Sequence, residues 1–286
     1  MHHLSIFINL TRLNKPVGFL LLFWPCSWSL AYAYTENQNL NTLLNYLILF
    51  FIGSVLMRSA GCIVNDIVDK DYDIKVERTK KRPIAAGKIS VNQSLLYVII
   101  LCSLAFFILI QFNMLTIILG LGSMILAFSY PYMKRFTYWP QLFLGLTFNW
   151  GIIMAWAAVN ASISSEILIL YLSAIFWTLG YDTIYGTQDM SDDEIIGLKS
   201  TSIKFKKNMK MFISFCYFFT FIGLFYLFSK SIGLNIFTVL FIIFILSLIY
   251  QVYKLKISKP EISLKLFKLN NYSGLLLFLS ILSTGI

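Results

Sequence analysis

Residues 43–73 read LLNYLILFFIGSVLMRSAGCIVNDIVDKDYD, an apolar run that ends in a cluster of amide and carboxylate side chains. About 20 apolar residues in a helix are enough to cross the roughly 30 Å hydrocarbon core of a bilayer. Arg58 alone places a charge in this run before Asp66. The stretch therefore predicts a transmembrane helix that carries an acidic turn at one end.

Similar apolar runs recur along the whole chain of 286 residues, of which 58% are hydrophobic and 13% charged. Soluble domains carry about 25% charged residues, so a soluble globule is excluded. The runs predict nine membrane spans, near residues 16–34, 43–64, 93–112, 114–131, 138–159, 166–185, 210–229, 234–253 and 267–286. We expect residues 1–286 to form one all-α polytopic membrane domain, with its helices around a central cavity that cytoplasmic loops cap.

The composition also limits the chemistry that is available. Four cysteines lie in or beside apolar runs without a CxxC spacing, which excludes a disulfide scaffold and a structural zinc site. The two histidines, His2 and His3, stand at the amino terminus, so neither is expected to act as a base or metal ligand within the bilayer. The chemistry must therefore use carboxylates, amides, hydroxyls or cationic side chains.

Positive charge is distributed unevenly between the two sides of the predicted topology. Of the 23 Lys and Arg residues, 21 fall in the amino-terminal segment and the even-numbered connections, which the positive-inside rule assigns to the cytoplasm. The net charge of +10 therefore reflects topology and contact with anionic membrane lipid. No soluble basic domain is left over, so nucleic acid is not an expected partner.

Two acidic clusters follow the second and sixth spans. On a continuing helix, Asn65, Asp69 and Asp73 point to one side, and Asp189 and Asp193 repeat the same spacing of four. Like charges at this spacing repel, so two clusters that accept the repulsion suggest a bound cation. Oxygen donors without sulfur or imidazole suit Mg²⁺ held together with phosphate oxygens. These five residues are the predicted metal ligands.

The alternative is that both clusters are solvated loop charges paired with neighbouring lysines. Two features favour a binding site over this alternative. The stripe of acids repeats in a second loop, and each cluster is followed by basic residues that could grip phosphate. Those predicted to do so are Arg78, Lys80, Lys81 and Arg82 after the first cluster and Lys199 and Lys204 after the second.

One ionisable group lies below each acidic turn. Arg58 shares the helical face of Asn65 and Asp69 but sits some 10 Å deeper, and Asp182 shares the face of Asp189 in the sixth span. A charge at that depth needs a watered cavity or a partner. A structural Arg58–Asp182 pair is one explanation. The one we favour is a two-layered pocket, with the metal at the rim and Arg58 and Asp182 below it to receive a polar co-substrate.

These motifs resemble those of a known family. The pattern NDxxDxxxD at residues 65–73, followed by RTKKRPIAAG at 78–87, is similar to the first signature of the UbiA superfamily of intramembrane aromatic prenyltransferases. YDT at residues 181–183, together with Asp189, Asp193 and KST at residues 199–201, resembles the second signature of the same superfamily. Within the superfamily, YPYMKRFT at residues 130–137 resembles the 4-hydroxybenzoate branch.

The resemblance implies a reaction and its partners. It implies transfer of a polyprenyl group from polyprenyl diphosphate to carbon 3 of 4-hydroxybenzoate, a membrane-bound step of ubiquinone biosynthesis. Mg²⁺ would bridge the diphosphate, the allylic carbon–oxygen bond would ionise, and the ring would attack ortho to its hydroxyl. The expected location is the bacterial inner (plasma) membrane, with the amino terminus in the cytoplasm.

The resemblance also implies roles for particular residues. The residues with predicted catalytic roles are Asp69, Asp182, Asp189 and Arg58. The predicted substrate-binding residues are Arg58, Arg135, Lys134, Asp66, Arg78, Arg82 and Lys199. Either Arg58 or Arg135 could hold the aromatic carboxylate, and Asp182 is predicted to face the phenolic side.

Two other functions are alternatives to prenylation of 4-hydroxybenzoate. A sister prenyltransferase would act on haem, a naphthoate or a chlorophyll precursor, and residues 130–137 argue against it. A secondary transporter would carry ionisable residues near the bilayer midplane. Here the acids cluster at cytoplasmic span ends instead, which favours the enzyme.

Overall fold

The computed structural model describes residues 2–285, and the chain folds into α-helices. The first helix, α1, covers His2–Thr11. In the described part of the chain nine long helices follow: α2 (Val17–Asn37), α3 (Leu40–Val68), α4 (Val91–Leu109), α5 (Met114–Ser129), α6 (Pro140–Asn160), α7 (Ser165–Tyr185), α8 (Met209–Phe228), α9 (Ile236–Lys254) and α10 (Pro260–Leu282). Within residues 2–285 there is no β-strand.

Polar residues at the ends of the apolar runs set the helix boundaries. A side-chain oxygen of the residue before the helix accepts a backbone N–H of the first turn in five of the long helices, which satisfies a donor that the helix itself leaves free. These caps are Asn39, Ser90, Asn113, Ser164 and Asn235. Pro140 and Pro260 begin α6 and α10, where proline has no intrahelical hydrogen bond to lose.

The predicted all-α membrane fold is confirmed. In the described part of the chain, eight helices, α2 to α9, are long and apolar enough to cross a membrane, and they match eight of the predicted spans within a few residues. The ninth prediction was less accurate, because α10 begins at Pro260 rather than near residue 267. Lys265 and Lys268 lie inside α10 and lower its hydropathy. The last residue of that predicted span, Ile286, lies outside the described residues.

The helix α2 lies at the centre of the packing. It contacts α3, α6 and α10, while α6 also packs on α5 and α7, and α7 on α8. Trp28 of α2 and Trp177 of α7 are fully buried with ring centroids 4.9 Å apart. Their indole N–H groups donate to Gly274 O and Asn270 Oδ1 of α10, at 2.8 and 3.0 Å. Such hydrogen bonds hold helices together where lipid removes the hydrophobic drive.

A cavity of about 1700 Å³ lies between these helices. Its lining comes from α1 to α7 and α10, and in the described chain α8 and α9 add none of it. Several connections in the described chain also line it, among them the one after α3, which includes a short helix at Lys70–Asp73, and the one after α7, which includes Met190–Ile195. The cavity with its two covering connections agrees with the architecture predicted from the sequence.

Candidate active site

The first acidic turn is a break between two helices rather than one continuous helix. The helix α3 ends at Val68, Asp69 has φ −90° and ψ 2°, and a new helical turn starts at Lys70. The assumption of a continuing helix was therefore wrong at this point. Backbone bonds from Asp69 N to Asn65 O (2.9 Å) and from Asp73 N to Asp69 O (2.8 Å) preserve the spacing of four. All three side chains line the cavity.

The second acidic turn repeats this construction. After α7, a 3₁₀ turn at Gly186–Gln188 leads to Asp189, which has φ −110° and ψ 1°. The amide of Asp193 donates to Asp189 O at 2.8 Å, so the two carboxylates stay one turn apart. Both line the same cavity as the first turn.

Cationic side chains tie the two connections together. Arg78 donates from Nε to Asp189 Oδ1 at 2.5 Å and from Nη2 to Asp189 Oδ2. Lys134, which follows α5, donates from Nζ to Asp69 Oδ2 at 2.6 Å. The backbone amide of Lys199 donates to Lys134 O at 2.8 Å, which links the second connection to the same point. The two acidic turns therefore share one site.

A second group of charges lies beside the first turn. Asp66 is 1% exposed and pairs with Arg12 Nη2 at 2.5 Å and with Arg82 Nη1 at 3.1 Å. Arg82 Nη1 also reaches Asp73 Oδ2 at 2.8 Å. Arg12, Arg82 and Asp73 line the cavity but Asp66 does not. Asp66 thus holds two arginines in place, and its predicted contact with substrate stays a prediction.

The donor set fits Mg²⁺ by its chemistry. Asp69 Oδ1 is buried without a hydrogen-bond partner, whereas Oδ2 accepts from Lys134 and from Asn65 Nδ2 at 3.0 Å. Burial raises the pKa of Asp69 against the opposing charge of Lys134. Burial and the charge of Asp189 together raise the pKa of Asp193 to about 6. Arg135 Nη2 lies 3.9 Å from Asp69 Oδ1, so this oxygen has a distant charge partner but no hydrogen bond. A carboxylate oxygen without a hydrogen bond, among other oxygens, is what a hard cation prefers.

The acids nevertheless do not form a ready-made cage. Across residues 2–285, no three His, Cys, Asp or Glu side chains gather closely enough to hold a metal ion. The ion pairs give a reason, because three of the four acids are drawn toward a cation: Asp69 to Lys134, Asp73 to Arg82 and Asp189 to Arg78. The negative charge that a metal needs is present, but Lys and Arg side chains already neutralise much of it.

The deeper layer holds Arg58 and Asp182, which both line the cavity. The Arg58 guanidinium lies 5.3 Å from the Phe148 ring centroid, and its Nε is buried without a hydrogen-bond partner. Gly18 leaves room for it, because a Cβ there would come within 2.8 Å of Nε. Among the described residues, the two form no direct ion pair within 4.0 Å. The geometry therefore does not support a structural ion pair between Arg58 and Asp182.

Two predicted substrate-binding residues lie away from the cavity lining. Arg135 donates from Nη2 to Val68 O at 2.6 Å and lies 4.9 Å from the Tyr72 ring. Lys199 donates from Nζ to Phe136 O at 3.3 Å. Neither belongs to the lining residues. Their roles toward substrate stay predictions. In the structure each side chain donates a hydrogen bond to a backbone carbonyl and so stabilises the neighbouring backbone.

Two further residues join the site, although neither was assigned a role there from the sequence. Arg12 lines the cavity and holds Asp66, and Tyr185 lies beneath Arg78, with its ring centroid 5.8 Å from the guanidinium. Arg12 is one of five arginines beside 18 lysines, and this scarcity marks each arginine as a candidate bidentate donor. Tyr185 is one of 16 tyrosines, and nothing in the sequence distinguishes it.

Several known proteins are similar to this chain in sequence. The model of the UbiA prenyltransferase family matches residues 22–280. The mitochondrial 4-hydroxybenzoate polyprenyltransferase of Rattus norvegicus is 42% identical over 280 residues, which cover 97% of this chain and 74% of that protein. The protein of the same name from Bos taurus is 43% identical over 281 residues, with 97% and 75% covered. The one from Arabidopsis thaliana is 47% identical over 209 residues, 73% of this chain and about half (51%) of that protein.

Known structures share the fold. A UbiA homolog from Aeropyrum pernix K1 superposes with a TM-score of 0.75 at 23% identity, covering 91% of this chain and 96% of that one. A UbiA homolog from Archaeoglobus fulgidus bound to GPP and Mg²⁺ gives a TM-score of 0.73 at 19% identity, with 97% and 99% covered. At these identities the likeness concerns the fold, while the family match rests on sequence over most of the chain. This multi-pass membrane protein therefore belongs to the UbiA prenyltransferase family.

Proposed function

We propose that this protein transfers a polyprenyl group from polyprenyl diphosphate to carbon 3 of 4-hydroxybenzoate in ubiquinone biosynthesis. One observation carries the proposal: two acidic turns and their cations close over a cavity whose deeper part holds Arg58 and Asp182. Such a cavity offers a site for a diphosphate above and for a polar aromatic acid below. The names of relatives that are 40–47% identical support the same acceptor.

The rim would receive the diphosphate. The residues that would hold Mg²⁺ are Asn65, Asp69, Asp73, Asp189 and Asp193, all of which line the cavity. When bound, the ion would neutralise charge on the departing diphosphate oxygens and so favour ionisation of the allylic ester. The homolog solved with GPP and Mg²⁺ supports this use of a divalent ion. Arg78, Arg82 and Lys134 stand among these acids as charged donors for the same oxygens.

The deeper layer would receive the acceptor. Arg58 is the better candidate for its carboxylate, since its Nε is buried in the cavity without a partner. Arg135, its competitor, already donates to Val68 O and lies between Tyr72 and Tyr132. Asp182 would accept the phenolic proton, which makes the ortho carbon a stronger nucleophile. As that carbon bonds to the prenyl group, diphosphate would leave, and the proton on the attacked carbon would pass to the released diphosphate, so that the ring becomes aromatic again.

Apolar side chains form much of the remaining wall. Phe50, Phe107, Phe112 and Met154 are among them, and they give the prenyl chain an environment like its own. Keeping water away protects the allylic electrophile from hydrolysis until the ring attacks. Aromatic faces can also stabilise its positive charge.

The membrane orientation is part of the proposal. The basic connections, and with them both acidic turns, would face the cytoplasm of a bacterium by the positive-inside rule. The curated relatives are named as mitochondrial proteins of animals and a plant. The location in a bacterial inner membrane is therefore a prediction. The comparisons support the coarser statement that this is a multi-pass membrane protein.

An acceptor assay tests the function directly. Purified protein in lipid nanodiscs is given one polyprenyl diphosphate, Mg²⁺ and either 4-hydroxybenzoate, a dihydroxynaphthoate or a haem. The expected outcome is a product carrying the prenyl group ortho to the hydroxyl of 4-hydroxybenzoate, with no comparable turnover of the other two. Preferential prenylation of the naphthoate or of haem would contradict the proposal.

A further inference from the structure

Among residues 2–285 three tyrosines are buried, and the hydroxyl of one of them differs from the other two. The hydroxyl of Tyr171 donates to Leu146 O at 2.8 Å, and that of Tyr217 donates to Gln251 Oε1 at 2.7 Å. Tyr181 is 1% exposed, and its hydroxyl forms no hydrogen bond of ordinary geometry, although Thr178, one turn earlier, lies near enough to interact with it. It is also a lining residue of the cavity. A buried hydroxyl without a partner is destabilising, so its retention needs a reason.

The Tyr181 ring cannot turn away to find a partner. It packs edge-on against Trp177 at a centroid distance of 4.8 Å and against Phe267 at 5.9 Å. The Trp177 indole is itself fixed by Asn270 Oδ1 at 3.0 Å, and Asn270 Nδ2 donates to Gln251 Oε1 at 2.8 Å. The hydroxyl is therefore held in place at the cavity wall. A phenylalanine would serve the packing equally well, which leaves the hydroxyl itself unexplained.

The groups around Tyr181 have complementary hydrogen-bonding roles. Asp182 follows it in sequence and can only accept when ionised, and Arg58 Nε is a second buried donor without a partner in the same cavity. Asp182, Arg58 and Tyr181 all line this one cavity. The layer thus offers one cationic donor, one acceptor and one neutral donor.

A para-hydroxylated benzoate matches this set. Its carboxylate needs a cationic donor, and its phenol both donates one hydrogen bond and accepts another. Arg58 and Asp182 account for the carboxylate and for the phenolic proton, but the lone pair of the phenolic oxygen still needs a donor. We propose that the Tyr181 hydroxyl donates to the phenolic oxygen of the acceptor and so helps to select a hydroxybenzoate. This inference rests on the function proposed above.

The competing explanation is a buried water that joins Tyr181 to the neighbouring protein. Thr178 stands one turn earlier on α7, and its Oγ1 accepts from Asn149 Nδ2 at 2.8 Å. Asn149 Oδ1 is also buried without a partner, so polar groups for such a water exist nearby. In that case Tyr181 has a structural role and takes no part in acceptor selection.

The variant Tyr181→Phe separates the two explanations because it keeps the ring and removes only the hydroxyl. The matched control is Tyr171→Phe, on the same helix, which loses a bond to Leu146 O away from the acceptor. KM and kcat are measured for 4-hydroxybenzoate and 4-aminobenzoate at saturating polyprenyl diphosphate. The amine is a poor acceptor of hydrogen bonds because its lone pair is delocalised into the ring, but it still donates.

We expect Tyr181→Phe to raise the KM for 4-hydroxybenzoate by roughly 2- to 12-fold, as for loss of one neutral hydrogen bond. The KM values for 4-aminobenzoate and for the prenyl donor should change little. The ratio of kcat/KM for 4-hydroxybenzoate to kcat/KM for 4-aminobenzoate, which measures the preference for the hydroxy acid, should therefore fall. Tyr171→Phe should leave that preference unaltered.

An unaltered preference in Tyr181→Phe, or an equal loss with both acceptors, would overturn the inference in favour of the structural role. Thermal unfolding of both variants shows whether folding is intact. Failure of the wild type to prenylate 4-hydroxybenzoate would overturn the proposed function itself, whereas a failure confined to the variant's selectivity concerns Tyr181 alone.

Discussion

Arg78 binds both carboxylate oxygens of Asp189 across the mouth of the cavity, although 111 positions separate the two residues in sequence. The first belongs to the connection after α3 and the second to the connection after α7. A planar guanidinium fits a carboxylate with two parallel hydrogen bonds, which fixes their orientation as well as their distance. One pair of residues thus holds both acidic turns over one cavity, where a diphosphate could meet donors from each.

The Arg78–Asp189 pair leads to the first prediction. Arg78→Ala should lower kcat/KM for polyprenyl diphosphate by roughly 10- to 100-fold, since it removes charge-assisted hydrogen bonds at the diphosphate end. The control is Lys80→Ala, from the same connection, whose pair with Glu77 is 44% and 79% exposed and should contribute little. Steady-state kinetics at saturating 4-hydroxybenzoate measure both. Equal losses in the two variants would contradict a specific role for Arg78.

The second prediction concerns the first acidic turn. Asp69→Asn keeps the shape of the side chain and removes its charge, so turnover should fall by roughly a thousandfold or more if the carboxylate binds Mg²⁺. Asp71→Asn is the matched control, because Asp71 is exposed on the same turn. Product formation by chromatography measures the effect. Substantial activity in Asp69→Asn would remove this carboxylate from the metal site.

The third prediction distinguishes the two arginines proposed for the acceptor carboxylate. Arg58→Ala should raise the KM for 4-hydroxybenzoate by roughly 10- to 100-fold at saturating prenyl donor, the usual range for a lost charged hydrogen bond. Arg135→Ala should act differently, since it removes the bond to Val68 O that braces the first turn. We expect it to lower kcat while the acceptor KM changes little. The reverse pattern would assign the carboxylate to Arg135.

The fourth prediction concerns the buried polar network in α7, α9 and α10. Asn270 is fully buried and joins Trp177 to Gln251. Asn270→Ala leaves their polar groups unpaired, so the free energy of unfolding should fall by about 1–2 kcal/mol. Tyr272→Leu, at a neighbouring position that is 64% exposed, is the control and should change little. Thermal unfolding of the purified protein in detergent compares the two, and equal stabilities would show that the network is not needed.

Much of this structure could be predicted from local patterns in the sequence that have a simple physical cause. Hydropathy located the spans because a helix in lipid must be apolar over about 20 residues. Spacing of four brought Asn65, Asp69 and Asp73 to one cavity even though the helix breaks at Asp69. Arg58, predicted below the first acidic turn, and Arg78 and Arg82, predicted after it, line that cavity.

Other features depend on which side chains the fold brings together, and no local pattern contains them. Arg12 reaches Asp66 across 54 positions, and Arg135 turns to a backbone carbonyl instead of the cavity. Whether the buried hydroxyl of Tyr181 has a hydrogen-bond partner depends on the side chains that the fold places around it. The start of α10 at Pro260 was missed because Lys265 and Lys268 lie at the polar end of a helix that is mostly apolar.

The last prediction follows from the way the acids are already paired. Because Asp69, Asp73 and Asp189 each contact a Lys or Arg, Mg²⁺ alone should bind weakly. A diphosphate supplies negative oxygens that can take over those cations and leave the carboxylates free for the ion. Mg²⁺ and inorganic diphosphate together should therefore raise the melting temperature more than the sum of their separate effects, since the stabilisation by a ligand grows with the logarithm of its concentration divided by its Kd for the folded state. A chelator should abolish the joint effect along with activity. Additive shifts would show that the metal and the diphosphate bind independently, and the ion pairs would then be structural.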